Sequence, residues 1–227
     1  MPQDEYNKKF EVEDPYSRRL KSAFAQVSDI RKFEIGLYWT RATYFWALIA
    51  VTFAGYFAIF SAQKFSGQYL LSMLVGTGGF VFTFAWYLAN RGSKYWQENW
   101  ENHLDLLEDN ITGPLYKTIL QRNREFDTAT DKYITGPLAI SVSKVNQWVS
   151  VYVMFIWVFL IGLATYKSLS ILNIHIKEAL IIASHIIILF GMLTCCVLMR
   201  QYGKTYSGQH NPQLLERKTR ISGKAEQ

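Results

Sequence analysis

The stretch ALIIASHIIILFGMLTCCVLM (residues 179–199) decides the fold class, because it contains no aspartate, glutamate, lysine or arginine. A helix needs roughly 20 mostly apolar residues to cross a bilayer, whose hydrocarbon core is about 30 Å thick. Three further stretches share this property: residues 44–61, 69–89 and 148–166. Soluble helices of this length nearly always carry a polar face, and these four do not. The sequence therefore predicts an all-α, polytopic membrane protein with four transmembrane helices.

The distribution of basic residues predicts the orientation of the chain. Segments 1–41, 91–146 and 200–227 hold 21 of the 24 lysines and arginines, and the turns 62–68 and 167–177 hold the other three. Basic residues concentrate in cytoplasmic segments. Because the two turns are short, their number of basic residues per residue is no lower than that of the long segments. The opposite orientation, however, would export every long hydrophilic segment across the membrane. We therefore expect both termini in the cytoplasm.

The spans divide the chain into five segments. These are a cytoplasmic N-terminal segment with an amphipathic helix (1–37), a transmembrane hairpin (38–90), a cytoplasmic helical region (91–146), a second transmembrane hairpin (147–200) and a polar cytoplasmic tail (201–227). Residues 1–13 have a composition typical of disorder, and Asp14-Pro15 is typical of a helix start. The helix that follows has an apolar face, which packs either on anionic lipid or on the protein's own cytoplasmic part.

A second cytoplasmic helix is predicted over residues 94–109, after a break or bend at 90–93. At about 100° per residue, one face consists of Trp96, Trp100, His103, Leu104 and Leu107. The opposite face is acidic and includes Glu98, Glu101, Asp105 and Glu108. Exposed tryptophans would form an apolar patch, and the acidic face disfavours anionic lipid. We therefore expect the tryptophan face to contact protein, either in the same subunit or in a neighbouring copy.

A short string occurs twice in the cytoplasmic region, as Ile111-Thr-Gly-Pro-Leu115 and as Ile134-Thr-Gly-Pro-Leu138. Proline suits the first position of a helix, so the first copy predicts a helix over 115–125 and the second predicts the entry to the third span. The echo indicates either a parallel repeat of two hairpins or independent use of the same helix start.

Small residues form ridges along two of the predicted spans. Ala50, Ala54, Ala58 and Ala62 follow one another at four-residue spacing in the first, and Ser72 and Gly76 do so in the second. Such ridges allow helix backbones to approach closely in lipid. Together with a tryptophan face that needs protein, they favour a homo-oligomer.

The spans offer little for ion transport. His185 is their one ionisable side chain apart from tyrosines and cysteines, and intramembrane ionisable residues point to function. It either lines an aqueous path or forms a neutral hydrogen bond between helices, and the second interpretation is preferred. Since no span contains a carboxylate or a cation, we do not expect a proton pump, a voltage sensor or an ion-coupled transporter.

No metal, cofactor or nucleic-acid site is expected. The histidines, His103, His175, His185 and His210, form no pair at helical spacing. The glycines at 76–79 lie inside a span, with no following Lys-Ser or Lys-Thr to bind a nucleotide. Basic and acidic residues are interleaved, and no nucleic-acid-binding motif occurs. No nucleophile, base and acid can be combined into a catalytic site, so we do not expect an enzyme.

Four strings carry a family resemblance: YWTRATYFWALIAVTFAGYFA (38–58), NRGSKYWQENWENHLDLLED (90–109), ITGPLYK (111–117) and SVSKVN (141–146). Together they resemble the RipA family of octameric membrane proteins, and the cytoplasmic helix is the most specific part. The resemblance implies a ring-like homo-octamer in the bacterial cytoplasmic (inner) membrane, in a family linked to growth of intracellular pathogens inside host cells. It implies no catalytic or ligand-binding residues.

The resulting hypothesis is a non-enzymatic inner-membrane homo-oligomer that acts as a scaffold or as the wall of a pore, in contact with membrane lipid. One alternative is a passive ion or small-solute channel, which conductance in planar bilayers would support. Another is an accessory subunit of a different membrane complex, because the tryptophan face could bind another protein. A lipid-modifying enzyme would need clustered polar residues at the headgroup level, which the sequence lacks.

Overall fold

The computed structural model describes residues 3–10, 17–63, 65–120, 127–170 and 176–204. These ranges contain five α-helices and one π-helical turn (Asp131–Thr135), and no strand. The α-helices are α1 (Gln3–Lys8), α2 (Arg18–Ser61), α3 (Gln68–Leu107), α4 (Val142–Leu169) and α5 (Ile176–Tyr202). Helices α2 to α5 are long and apolar enough to cross a membrane. The predicted all-α protein with four transmembrane helices is therefore confirmed.

Helices α2 and α3 are much longer than a membrane span. They contain 44 and 40 residues, which corresponds to about 66 and 60 Å, or about twice the hydrocarbon core. Each therefore combines a span with an extension beyond the membrane. The predicted break at residues 90–93 is absent, because α3 runs through them. A glycine inside a helix costs only about 1 kcal/mol, so Gly92 alone does not end α3.

The N-terminal region is more ordered than its composition predicts. The prediction of disorder over residues 1–13 is wrong for Gln3–Lys8, which form α1. The side-chain oxygen of Ser17 accepts a hydrogen bond from the amide of Leu20 at 3.3 Å and caps α2. The predicted helix start at Asp14-Pro15 lies outside the described residues, and α2 begins after Ser17.

The turn between α2 and α3 is fastened by one side chain. Gly67 has a φ of 84°, which favours glycine, and α3 begins at the next residue. The buried Gln68 amide donates to the carbonyl oxygens of Ile59, Phe60 and Ala62 at 2.9, 3.1 and 3.1 Å. These carbonyls lie at the end of α2, where helical acceptors outnumber backbone donors, although Ile59 also accepts from the Ala62 amide at 3.3 Å. Gln68 therefore closes the hairpin.

Helix α3 is the centre of the fold, since it packs against α2, α4 and, less extensively, α5. At its middle, the indole of Trp157 from α4 lies over Gly79 and donates from Nε1 to the Thr83 hydroxyl at 3.1 Å. Phe53 of α2 stacks on this indole with ring centroids 3.9 Å apart. The Tyr56 hydroxyl donates to the Leu160 carbonyl at 2.7 Å. The buried core of the spans therefore lies where α2, α3 and α4 meet.

The two copies of the Ile-Thr-Gly-Pro-Leu string have different structures. Gly113 has a φ of 73° in a turn, whereas Gly136 has a φ of −71° at the end of the π-helical turn. The predicted helix over 115–125 is absent in its described part, 115–120, which forms a turn and irregular chain. Helix α4 begins at Val142 rather than at Pro137. The structure therefore gives no support to a repeat based on this string.

Candidate functional site

The tryptophan face of α3 is largely covered by the same subunit. Leu104 and Leu107 are buried in a cluster with Leu20 and Val27 of α2 and Tyr6 of α1. Within the face, the rings of Trp96 and Trp100 are 6.3 Å apart and nearly parallel, and His103 lies 5.7 Å beyond Trp100. Trp96, at the edge, remains 38% exposed. Of the predicted partners, the same subunit covers the end of the face near Leu107 and leaves the edge at Trp96 open.

Helix α1 is attached to this face by two hydrogen bonds. Tyr6 is 3% exposed, and its hydroxyl lies 2.7 Å from Nδ1 of His103. The Gln3 amide donates to the Leu106 carbonyl at 2.6 Å. Burial lowers the pKa of His103, so the neutral imidazole is favoured and its Nδ1 can accept from the tyrosine. A six-residue helix is marginal alone, so α1 depends on this docking.

Ion pairs join the extensions of α2 and α3. Arg31 of α2 contacts Glu101 of α3 at 3.2 Å, and Lys94 contacts the same carboxylate at 3.6 Å. The Arg31 guanidinium also lies 5.6 Å from the centre of the Tyr116 ring. Part-exposed charges like these belong in water rather than in hydrocarbon. These ion pairs and the apolar cluster around Leu20 and Leu104 hold the two extensions together.

Glu108 has a structural role that the sequence does not reveal. The predicted helix places it on the solvent-facing acidic side, but it is fully buried. Its two carboxylate oxygens accept from the amides of Tyr116 and Lys117 at 2.6 and 3.1 Å. The Gly-Pro pair that begins five residues after it, at Gly113, is the one sequence signal that the chain folds back over it. Glu108 therefore fixes the loop that leaves α3.

His185 is buried in α5 and is 4% exposed. Its Nδ1 lies 2.7 Å from the Ile181 carbonyl, which can only accept, so Nδ1 carries the proton. Nε2 is also buried and has no hydrogen-bond partner among the described residues. The expected bond between helices is therefore replaced by one within α5, and one acceptor is left open.

The two predicted ridges of small residues have different surroundings. Ser72 and Gly76 are buried, and a Cβ at Gly76 would lie 3.1 Å from Ile161 of α4. This ridge serves packing within the subunit. Ala50, Ala54 and Ala58 are all exposed on the outer side of α2, and we call them the alanine ridge. It contributes no contact to the core of the subunit.

A groove of about 370 Å³ separates α3 from α5. Gly78 and Gly191 lie in it, and a Cβ at either position would meet nothing within 4 Å. The remaining lining is almost entirely apolar: Leu74, Thr77, Val81, Phe82, Ile187, Ile188, Met192 and Cys195. This concave surface is open on the outside of the subunit.

The described residues contain no group of three histidine, cysteine, aspartate or glutamate side chains arranged to hold a metal ion. The features that stand out are surfaces rather than a reaction centre: an alanine ridge, an apolar groove and the open edge at Trp96. Surfaces of this kind suit association in a membrane. A family model described as the octameric membrane protein family (8xMP) matches residues 21–193.

The chain belongs to the octameric membrane protein family. The matched range contains the four spans almost completely, together with the extensions of α2 and α3. The octameric membrane protein family is described by assembly and location, not by a reaction. No curated protein and no solved structure matches the chain. The protein is therefore a multi-pass membrane protein of an oligomeric family.

Proposed function

We propose that the protein forms a homo-octameric ring in the bacterial cytoplasmic membrane, within the RipA group of its family, and acts as a non-enzymatic scaffold or pore wall. The observation that carries the proposal is the alanine ridge. It is exposed along about two turns of α2, and the chain belongs to an octameric family. A ridge of small residues that packs nothing in its own subunit is suited to a neighbour.

A ring of eight copies needs two different surfaces that fit each other, because its contacts run head to tail. The alanine ridge is the first surface, and the α3–α5 groove is the second. Their levels in the membrane agree. Gly55 of α2 lies opposite Val75 of α3, with a Cβ-to-side-chain distance of 3.9 Å, so Ala54 lies near the level of Gly78. Gly78 and Gly191 face the same groove. The ridge of one copy therefore fits the groove of the next.

A disulfide cross-link tests this contact. Cys195 and Cys196 are first replaced by serine, and Ala54→Cys and Gly191→Cys are then introduced together. Mild oxidation of membranes should produce a ladder of covalent species up to the octamer. Either substitution alone should give no ladder. A cross-link confined to single subunits, or none, contradicts the proposed contact.

Bulk on the ridge should weaken assembly. Ala54→Leu should shift the detergent-extracted particle from octamer to smaller species in mass photometry, because close helix approach requires small residues. Leu48→Phe is the control, since residue 48 lies about 120° away around α2 and is also exposed. An octamer that tolerates Ala54→Leu as well as Leu48→Phe would rule out the ridge as the interface.

Conductance measurements on the purified octamer in planar bilayers distinguish a pore wall, which conducts, from a scaffold, which does not.

Two further side chains are proposed to serve the assembly rather than the subunit. The exposed edge of Trp96 supports a second contact between neighbouring extensions. The open Nε2 acceptor of His185 supports a polar role inside the membrane.

We also propose that both extensions lie in the cytoplasm. A membrane-impermeant maleimide added to intact cells should then label a cysteine introduced at Ser66 but not one introduced at Asn102.

A further inference from the structure

A pocket of about 290 Å³ lies between α3 and α4, at the end of the spans where α3 continues into its extension. It is lined by Tyr87, Lys144, Gln147, Trp148 and Val151. Tyr87 lies at the end of one apolar stretch and Trp148 at the start of the next. Tyrosine and tryptophan collect at the membrane–water interface. The pocket therefore lies at the depth of the lipid headgroups.

Two cations at this pocket have no acidic partner among the described residues. Lys144 lines the pocket, and Arg91 lies one turn beyond the lining residue Tyr87. Neither forms an ion pair with a described residue. The Arg91 guanidinium lies 5.7 Å from the centre of the Tyr87 ring and 3.4 Å from its hydroxyl. By contrast, Lys94, one turn further along α3, contacts two glutamates. Of the two cations on α3, the one beside the pocket is thus left without an acidic partner, and the one further along the extension is paired.

The polarity of the pocket changes with depth. Lys144 and Gln147 provide hydrogen-bond donors at the end of the pocket nearer the extensions. Val151, one helical turn further into the membrane, provides apolar surface. Trp148 is 73% exposed beside it. The start of α4 is held in place by Asn146, whose amide donates to the Tyr38 hydroxyl of α2 at 2.6 Å. The pocket therefore combines donors for an anion with a surface for hydrocarbon on a fixed support.

We propose that this pocket binds an anionic phospholipid, with the phosphate near Lys144 and Arg91 and the start of an acyl chain along Trp148 and Val151. Basic pockets between transmembrane helices recognise acidic lipid headgroups. A soluble phosphate would satisfy the cations but would leave the apolar end uncovered. The assignment does not depend on the number of subunits in the particle.

The test is native mass spectrometry of the delipidated protein in detergent, titrated with phosphatidylglycerol or with phosphatidylcholine. The protein should retain phosphatidylglycerol preferentially. Lys144→Gln and Arg91→Gln should each weaken this binding about fivefold, which corresponds to about 1 kcal/mol per cation. Lys144→Arg should restore binding, which separates loss of charge from loss of structure. Lys132→Gln, an equal loss of charge outside the pocket, should have no effect.

Three results would overturn the proposal. The first is equal retention of the two lipids by the unchanged protein. The second is phosphatidylglycerol binding by Arg91→Gln/Lys144→Gln that equals that of the unchanged protein while its far-ultraviolet circular dichroism shows an intact helical fold. The third is displacement of the lipid by glycerol phosphate at comparable concentration, since this would assign the site to a soluble phosphate.

Discussion

Trp157 fills the space where α2, α3 and α4 meet, and Gly79 makes room for it. A Cβ at residue 79 would lie 2.4 Å from the indole, well inside van der Waals contact. Gly79→Ala should therefore destabilise the fold by about 1–3 kcal/mol, the usual cost of overpacking, and lower the thermal midpoint in detergent. Gly162→Ala in α4 is the matched control, because its Cβ would also meet nothing within 4 Å and Gly162 lies outside the α3–α5 groove. Equal midpoints for the two variants would contradict this account of the core.

Glu108 illustrates a buried carboxyl group whose oxygens accept hydrogen bonds from backbone amides. Its replacement by alanine would leave the amides of Tyr116 and Lys117 without their acceptor. Because Tyr116 and Lys117 are exposed residues, water can replace part of the lost interaction, and each bond contributes about 0.5–1.5 kcal/mol. Glu108→Ala should therefore accelerate hydrogen exchange at these two amides. Glu98→Ala, which removes an acid whose side chain is 59% exposed, should leave their exchange unchanged.

At the scale of elements, the docking of α1 should depend on pH. The pKa of His103 is lowered by burial from its ordinary value of 6.5, so the undocked state binds more protons as the pH falls below that value. The stability contributed by docking is therefore complete above about pH 6.5 and is lost at lower pH. The thermal midpoint should fall between pH 7.5 and 5.5, with a red shift of tryptophan emission as Trp100 loses its cover. His103→Gln should reduce this dependence, and a dependence that persists unchanged would assign it to other groups.

The spans could be predicted from sequence, but the continuity of α2 and α3 could not. Twenty apolar residues suffice to identify a span, whereas the charges at Arg31 and Arg91 resemble the edges of separate helices. The extensions are stabilised by contacts between distant parts of the chain, such as Leu20 with Leu104. Helix α1 was missed for the same reason, because its partner His103 lies 97 residues away.

The surfaces illustrate a similar limit. The sequence identifies Ala54 and Gly76 as members of ridges, but only the packing of α4 shows that one ridge is buried and the other exposed. Which residues line a groove depends on where α5 lies against α3. The spacing of residues within one helix cannot predict how α5 lies against α3, because that placement depends on contacts between two helices.

At the scale of the whole molecule, the described residues are arranged asymmetrically across the membrane. Beyond the first span, α2 continues over residues 18–43, up to about 39 Å of helix, and α3 accompanies it. At the other face, α2 ends at Ser61 and α3 begins at Gln68, so only a short connection separates them. Side views of the particle in nanodiscs by electron microscopy should show a layer about 35–40 Å tall on one face and little on the other. Layers of similar height on both faces would contradict this arrangement.

The unbroken passage of α2 and α3 through the membrane surface makes each of them a lever arm. No loop interrupts either helix at the boundary, so a span cannot tilt without carrying its extension along. A tilt of about 10° would displace the far end of an extension by about 6–7 Å, given a rise of about 1.5 Å per residue. Changes in bilayer thickness that tilt the spans are thereby converted into sideways movement among the extensions, outside the membrane.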